Sequence, residues 1–151
     1  MKTAIIYESY HHGNTKKVCD ALAQKYDITL IDARGSVGEL EKYDLIGLAS
    51  GAAYGKFYST ITDVARNKLP QGKSVFFIYT CGRPSRDYAA EVKKIALEKN
   101  CRILGTYGCK GYDTFGPLKL IGGINKENPT ADEIDAAIKF FEDVLRKYEG
   151  D

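Results

Sequence analysis

Five short apolar, β-branched runs recur along the chain: Thr3–Tyr7, Ile28–Ile31, Leu45–Ala49, Val75–Tyr79 and Cys101–Tyr107. Apolarity within each run is continuous rather than alternating, which predicts strands of a parallel sheet buried on both faces. Between the runs the spacing becomes helical. Val18, Ala21, Leu22 and Tyr26 form one stripe; Ile61, Val64, Ala65 and Leu69 form a second, stopped by Pro70 and Gly72. Ala89, Val92, Ile95 and Ala96 make a third. The longest stripe joins Ile134, Ala137, Ile138, Phe141, Leu145 and Tyr148. Its start is marked by the capping box Thr130-x-x-Glu133, just after Pro129. Ser36-x-x-Glu39 predicts the start of one further short helix, which Gly35 and Gly38 weaken.

Strands and helices therefore alternate, five of each. This pattern predicts one α/β domain over residues 1–151, an open parallel sheet covered by helices on both faces through right-handed crossovers. Such sheets bind ligands outside the carboxyl ends of their strands, where strand order reverses. The loops of interest are thus 9–15, 50–58, 80–87 and 108–117.

Composition narrows the picture. With 151 residues, 44% of them hydrophobic, the chain can bury a core without disulfide or metal staples. No apolar run approaches the roughly 18 residues of a membrane span, and the run after Lys2 stops at Glu8, unlike a signal peptide. Cys19, Cys81, Cys101 and Cys109 include no Cys-x-x-Cys pair, and the two histidines are adjacent. These spacings do not suit structural zinc, and a reduced, cytoplasmic protein is expected. A net charge of +2 is too small to point to nucleic acid.

Ser9-Tyr10-His11-His12-Gly13-Asn14-Thr15 leaves the first strand and enters the first helix. Hydroxyl, amide and glycine residues suit a turn whose backbone N–H groups face an anion. Ser9 and Thr15 offer hydroxyls, and Asn14 offers both a helix cap and an amide donor. Lys16 and Lys17 place cations in a first helical turn, against the macrodipole, a conflict that a bound phosphate would remove. Adjacent histidines point in different directions, so His11 and His12 read as polar loop or ligand contacts rather than metal ligands. Competing motifs fail on spacing. Gly13 is not followed by Gly-x-x-Gly, and Gly51-Ala52-Ala53-Tyr54-Gly55-Lys56-Phe57 lacks the length and the Ser/Thr of a Walker loop. Cys81 and Arg86 are separated by four residues, one short of the phosphatase spacing.

The first loop resembles the phosphate loop of flavodoxins, usually Ser/Thr-x-Thr-Gly-x-Thr. It is one residue longer here, with a histidine where threonine is usual, and Gly13-Asn14-Thr15 is the firm part of the match. The resemblance spans the chain. It implies a three-layer sandwich around a five-stranded parallel sheet in order 2-1-3-4-5, with FMN at the switch point. Two more loops would then grip the isoalloxazine: Ser50-Gly51-Ala52-Ala53-Tyr54-Gly55-Lys56 and Thr80-Cys81-Gly82-Arg83-Pro84-Ser85. Within them Tyr54 is the stacking candidate, and Gly51, Ala52 and Ala53 let the backbone approach the ring. Cys81 is either a small residue against the ring or a redox thiol; with no cysteine near it in sequence, contact is favoured. Gly111-Tyr112-Asp113-Thr114-Phe115-Gly116-Pro117 is similar to a segment found in some flavodoxin-domain proteins, and the stretch from Cys109 to Pro129 is long enough to carry a lid or a partner surface.

Two departures bear on function. Flavodoxins often stack a tryptophan on the flavin, and this chain has none, which leaves Tyr88, Phe115 or an open face. Flavodoxins are also acidic as a rule, whereas these loops carry Lys56, Arg83, Arg86 and Lys110. Nearby cations favour reduced flavin, and each kcal/mol of that preference raises a one-electron potential by about 40 mV. A less strongly reducing protein than acidic flavodoxins is expected. The implied function is an FMN-binding electron carrier serving a redox partner protein. The alternative is an FMN-dependent reductase passing hydride from NAD(P)H to a quinone-type acceptor. The carrier reading requires no general acid or base, and no catalytic side chain is named.

Overall fold

The computed structural model describes residues 1–9, 13–83, 86–111, 123–124 and 127–150. Its strands are β1 (Thr3–Glu8), β2 (Ile28–Asp32), β3 (Leu45–Ala53), β4 (Lys56–Phe57), β5 (Ser74–Cys81) and β6 (Arg102–Lys110). Among the described residues the helices are α1 (Asn14–Lys25), α2 (Ser59–Asn67), α3 (Ala90–Glu98) and α4 (Ala131–Glu149). The parallel strands lie in the order β2-β1-β3-β5-β6, and β4 pairs antiparallel with the end of β3. Apart from that hairpin strand, this is the expected order, with β1 and β3 flanking the switch point.

Alternation along each central strand splits its apolar side chains between two cores. Ala4 and Ile6 of β1 join Ile46, Leu48, Ile61, Val75, Phe77 and Val92 on the face covered by α2 and α3. Ile5 and Tyr7 join Val18, Leu22, Leu45, Phe76, Ile78 and Phe141 on the face covered by α1 and α4. All six residues of β1 are buried, which is why its sequence is continuously apolar as far as Tyr7. The result is a three-layer α/β sandwich. None of the helices among the described residues is long and apolar enough to cross a membrane.

Two local expectations fail. Residues 36–40 form no helix, and the chain passes from β2 to β3 through turns and irregular backbone. Gly38 sits at φ 72°, outside helical space, so Ser36-x-x-Glu39 has no helix to cap. Strand β3 also runs four residues past Ala49, and Ala52 and Ala53 pair with Phe57 and Lys56 across a two-residue turn. The stretch expected to be a loop is a β-hairpin standing at the carboxyl edge.

Candidate functional site

The α1 start is built without the usual devices. Gly13 is the N-cap at φ 65°, a conformation that strains any residue with a Cβ, and it makes no side-chain cap bond of its own. Asn14, expected to be a cap, is instead the first helical residue and is buried. The first turn holds no acid. The first intrahelical bond runs from Lys17 N–H to Gly13 O, and Lys16 N–H donates to Ser9 Oγ at 3.1 Å. Amides ahead of that ladder have no partner within the helix, so this end concentrates donors and positive potential. Lys16 adds a cation whose pKa is raised by its hydrogen bond to Asp20 and by that residue's charge.

Neighbouring strands close on this helix end. Thr15 Oγ1 lies 2.9 Å from Thr80 Oγ1, a buried contact joining α1 to the end of β5. Gly111, just past β6, packs so closely on the Asn14 side chain that a Cβ there would collide with its amide. Gly111 N–H also donates to Cys81 O at 2.9 Å. Ser9, Gly13, Asn14, Thr15, Thr80, Cys81 and Gly111 thus gather at the carboxyl ends of β1, β5 and β6. Glu8, the last residue of β1, is buried, and among the described residues its Oε2 has no hydrogen-bond partner. Strand alternation places it with Ala4 and Ile6, on the side of the sheet away from α1.

The β3–β4 hairpin forms the second part of the site. Tyr54 (φ 53°) and Gly55 (φ 81°) both have positive φ, the signature of a type I′ turn that matches the twist of paired strands. A tyrosine in this conformation costs about 1–2 kcal/mol relative to ordinary backbone. Its side chain is 86% exposed at the tip. Gly51 leaves room for the Tyr58 hydroxyl, which a Cβ would strike, and Ser50 Oγ accepts from Tyr58 N–H at 3.0 Å. A Cβ built on Gly55 would sit 2.8 Å from Arg86 Nη1, so the β5–α3 loop lays a guanidinium over the turn. That loop is held from below: Tyr88 Oη donates to Arg83 O at 2.6 Å and Tyr79 Oη to Arg86 O at 3.4 Å. The Tyr79 and Tyr88 rings meet edge to face at 5.4 Å.

Gly51, Ala52, Ala53, Tyr54, Gly55 and Lys56 therefore lie along one hairpin, and Thr80, Cys81, Gly82 and Arg83 at the end of the next strand. Tyr10, His11, His12, Pro84, Ser85 and residues 112–122 lie outside the described residues. Sequence spacing gave no sign of the Arg86–Gly55 or Gly111–Asn14 contacts, which join residues far apart in the chain. Cys81 acquires a neighbour the sequence does not show. Its thiol donates to Cys109 O at 3.6 Å across adjacent strands. Burial pushes the Cys109 thiol up to about 12 and also raises Cys19 and Cys101, so these three remain poor thiolates.

The region after β6 is anchored by one carboxylate. Glu133 Oε2 accepts from Lys110 N–H at 3.1 Å, and Oε1 accepts from Thr130 N–H at 3.0 Å, from Thr130 Oγ1 and from Asn128 Nδ2. Burial is the largest single influence on this carboxyl and works to raise its pKa. The backbone donors of Thr130 and Lys110, with the side chains of Asn128 and Thr130, together hold it below the usual glutamate value.

Comparison with known proteins places this architecture. No family model matches the sequence. It is 37% identical over 150 residues, 97% of this chain and 99% of the other, to uncharacterized protein MJ0298 of Methanocaldococcus jannaschii. A solved flavodoxin from the domain Archaea superposes with a TM-score of 0.70 at 18% identity, covering 97% of this chain and 99% of that one. Fusobacterium nucleatum flavodoxin bound to flavin mononucleotide gives 0.68 at 14% identity, over 97% and 99%. The chain thus belongs to the same family as the Methanocaldococcus jannaschii protein MJ0298, and its fold is that of the flavodoxins.

Proposed function

We propose that the chain binds FMN across the α1 start, the β3–β4 hairpin and the end of β5, and works as a small electron carrier. The observation that carries this reading is the α1 start itself. A left-handed glycine cap that makes no cap bond and a first turn without acid leave a helix end suited to a phosphate, next to Ser9 and the Thr15–Thr80 hydroxyl pair. The donor set fits both ends of the cofactor. Ser9, Thr15 and the first-turn amides of α1 would hold the phosphate, with Tyr10, His11, His12, Gly13 and Asn14 completing its loop. Gly51, Ala52, Ala53, Gly55, Lys56, Thr80, Cys81, Gly82 and Arg83 would border the isoalloxazine, with Tyr54 against its face. When bound, FMN would supply one- and two-electron redox chemistry, while these residues orient it and set the charge around it.

The exposed cations Lys56 and Arg86 favour a second reading, an FMN-dependent NAD(P)H:quinone-type reductase that holds a nicotinamide phosphate at this edge. Purified protein mixed with FMN should give a protein-bound flavin spectrum after gel filtration. Elution of all the flavin with the small molecules would defeat both readings. Steady-state NADPH oxidation with a quinone acceptor then separates them: turnover identifies the reductase, and its absence in FMN-loaded protein favours the carrier.

A further inference from the structure

On the β3–β6 side of the carboxyl edge the described residues include Lys56 on β4, Arg83 and Arg86 after β5, and Lys110 at the end of β6. All four side chains are exposed. Elsewhere many charges are paired: Lys16 with Asp20, Lys25 with Glu142, Arg34 with Asp32, Lys93 with Asp87. Among the described residues none of the four edge cations takes part in an ion pair. Asp87, the acid nearest them in the β5–α3 loop, is already engaged by Lys93 Nζ at 2.5 Å and Ala89 N–H at 2.9 Å. Glu133 turns to the Lys110 backbone and the α4 cap.

This arrangement has the form of a docking surface for an acidic protein. The cations are spread over the β3–β4 hairpin, the loop after β5 and the end of β6, a wider footprint than one phosphate group. The Tyr88 and Tyr79 hydroxyls pin the Arg83 and Arg86 carbonyls, which fixes the backbone from which those side chains project and lowers the loop-ordering cost of docking. Tyr54, 86% exposed, precedes Gly55, over which Arg86 lies, and tyrosine and arginine are both enriched in protein interfaces. An acidic face opposite would steer encounter and fix orientation. We propose that the redox partner of this protein docks on the Tyr54–Lys56, Arg83, Arg86 and Lys110 edge through an acidic surface. Calling that partner a redox protein rests on the electron-carrier reading above; the surface itself does not.

The test uses ¹⁵N-labelled, FMN-loaded protein titrated with an acidic [2Fe–2S] ferredoxin as probe. Chemical-shift changes are expected at residues 54–56, 83, 86 and 110, with affinity falling roughly tenfold from low to physiological ionic strength. Arg86→Glu with Lys110→Glu should lower affinity for the ferredoxin at least about tenfold while flavin absorbance is retained. The salt titration of the unaltered protein decides the matter should that variant misfold. Shifts scattered over other faces, or a salt-independent affinity, would overturn the proposal. Edge shifts produced by NADPH but not by the ferredoxin would overturn it equally and favour a nucleotide site. A protein that docks the ferredoxin at this edge yet takes up no FMN would support the surface and refute the flavin reading.

Discussion

The starts of α1 and α4 solve the same problem in opposite ways. At α4, Thr130 Oγ1 accepts from Glu133 N–H, the Glu133 carboxylate accepts from Thr130 N–H, and Asp132 and Glu133 set negative charge against the helix dipole. That end is complete in itself. At α1 the cap is a left-handed glycine with no side chain to make a cap bond, and the first turn carries lysine instead of acid. Its neighbours supply hydroxyls from Ser9, Thr15 and Thr80. A helix end that leaves its electrostatics open beside such donors is prepared for an anion from outside, and one that closes them is structural.

The contrast can be broken most strongly at Gly13. Gly13→Val places a β-branched residue at φ 65° and should cost about 1–3 kcal/mol of local strain, seen as a five- to hundredfold loss of FMN affinity by fluorescence titration. Unchanged affinity would show that the cap conformation is not part of the binding loop. Thr130→Ala removes the reciprocal cap at the other helix and should cost about 1 kcal/mol in urea unfolding. FMN affinity should stay as it was; a matching loss of affinity would dissolve the distinction between the two ends.

Acid sharpens the comparison further. Hydrogen bonding holds the folded Glu133 carboxyl below its ordinary value of 4.5, so its contribution is fully present above that pH and is lost as pH falls through the lower, folded value. Glu133→Gln should therefore flatten the fall of stability below about pH 4.5. Parallel acid-unfolding curves for the two proteins would refute that assignment. The smallest effect is expected at Lys17. Lys17→Glu adds an acid to the first turn of α1, which should raise the stability of the flavin-free protein slightly and weaken FMN binding about two- to fivefold. Tighter FMN binding in this variant would count against a phosphate at that end.

The sheet was legible because burial on both faces writes itself into sequence. The runs at Thr3–Tyr7, Leu45–Ala49 and Val75–Tyr79 are continuously apolar for the reason that β1, β3 and β5 are central. The α4 start was legible because a capping box is local, three residues apart. The β3–β4 hairpin was not. Its turn is Tyr54-Gly55 rather than the Asn-Gly or Asp-Gly that announces a type I′ turn. The helix expected at Ser36 failed because a capping box has no meaning when Gly38 leaves helical space.

The resemblance to flavodoxins implied the strand order; the sequence by itself determined the layers and the position of a hydroxyl-rich turn before α1. These depend on periodicity and on residues close together in the chain, where local sterics and burial act. Tertiary structure decided which distant groups share the carboxyl edge: Thr15 with Thr80, Asn14 with Gly111, Arg86 over Gly55, and Cys81 beside Cys109. It also made the capping residue Glu133 a tie between α4 and β6. Such contacts are set by how strands stack side by side, and that adjacency leaves no local spacing to read.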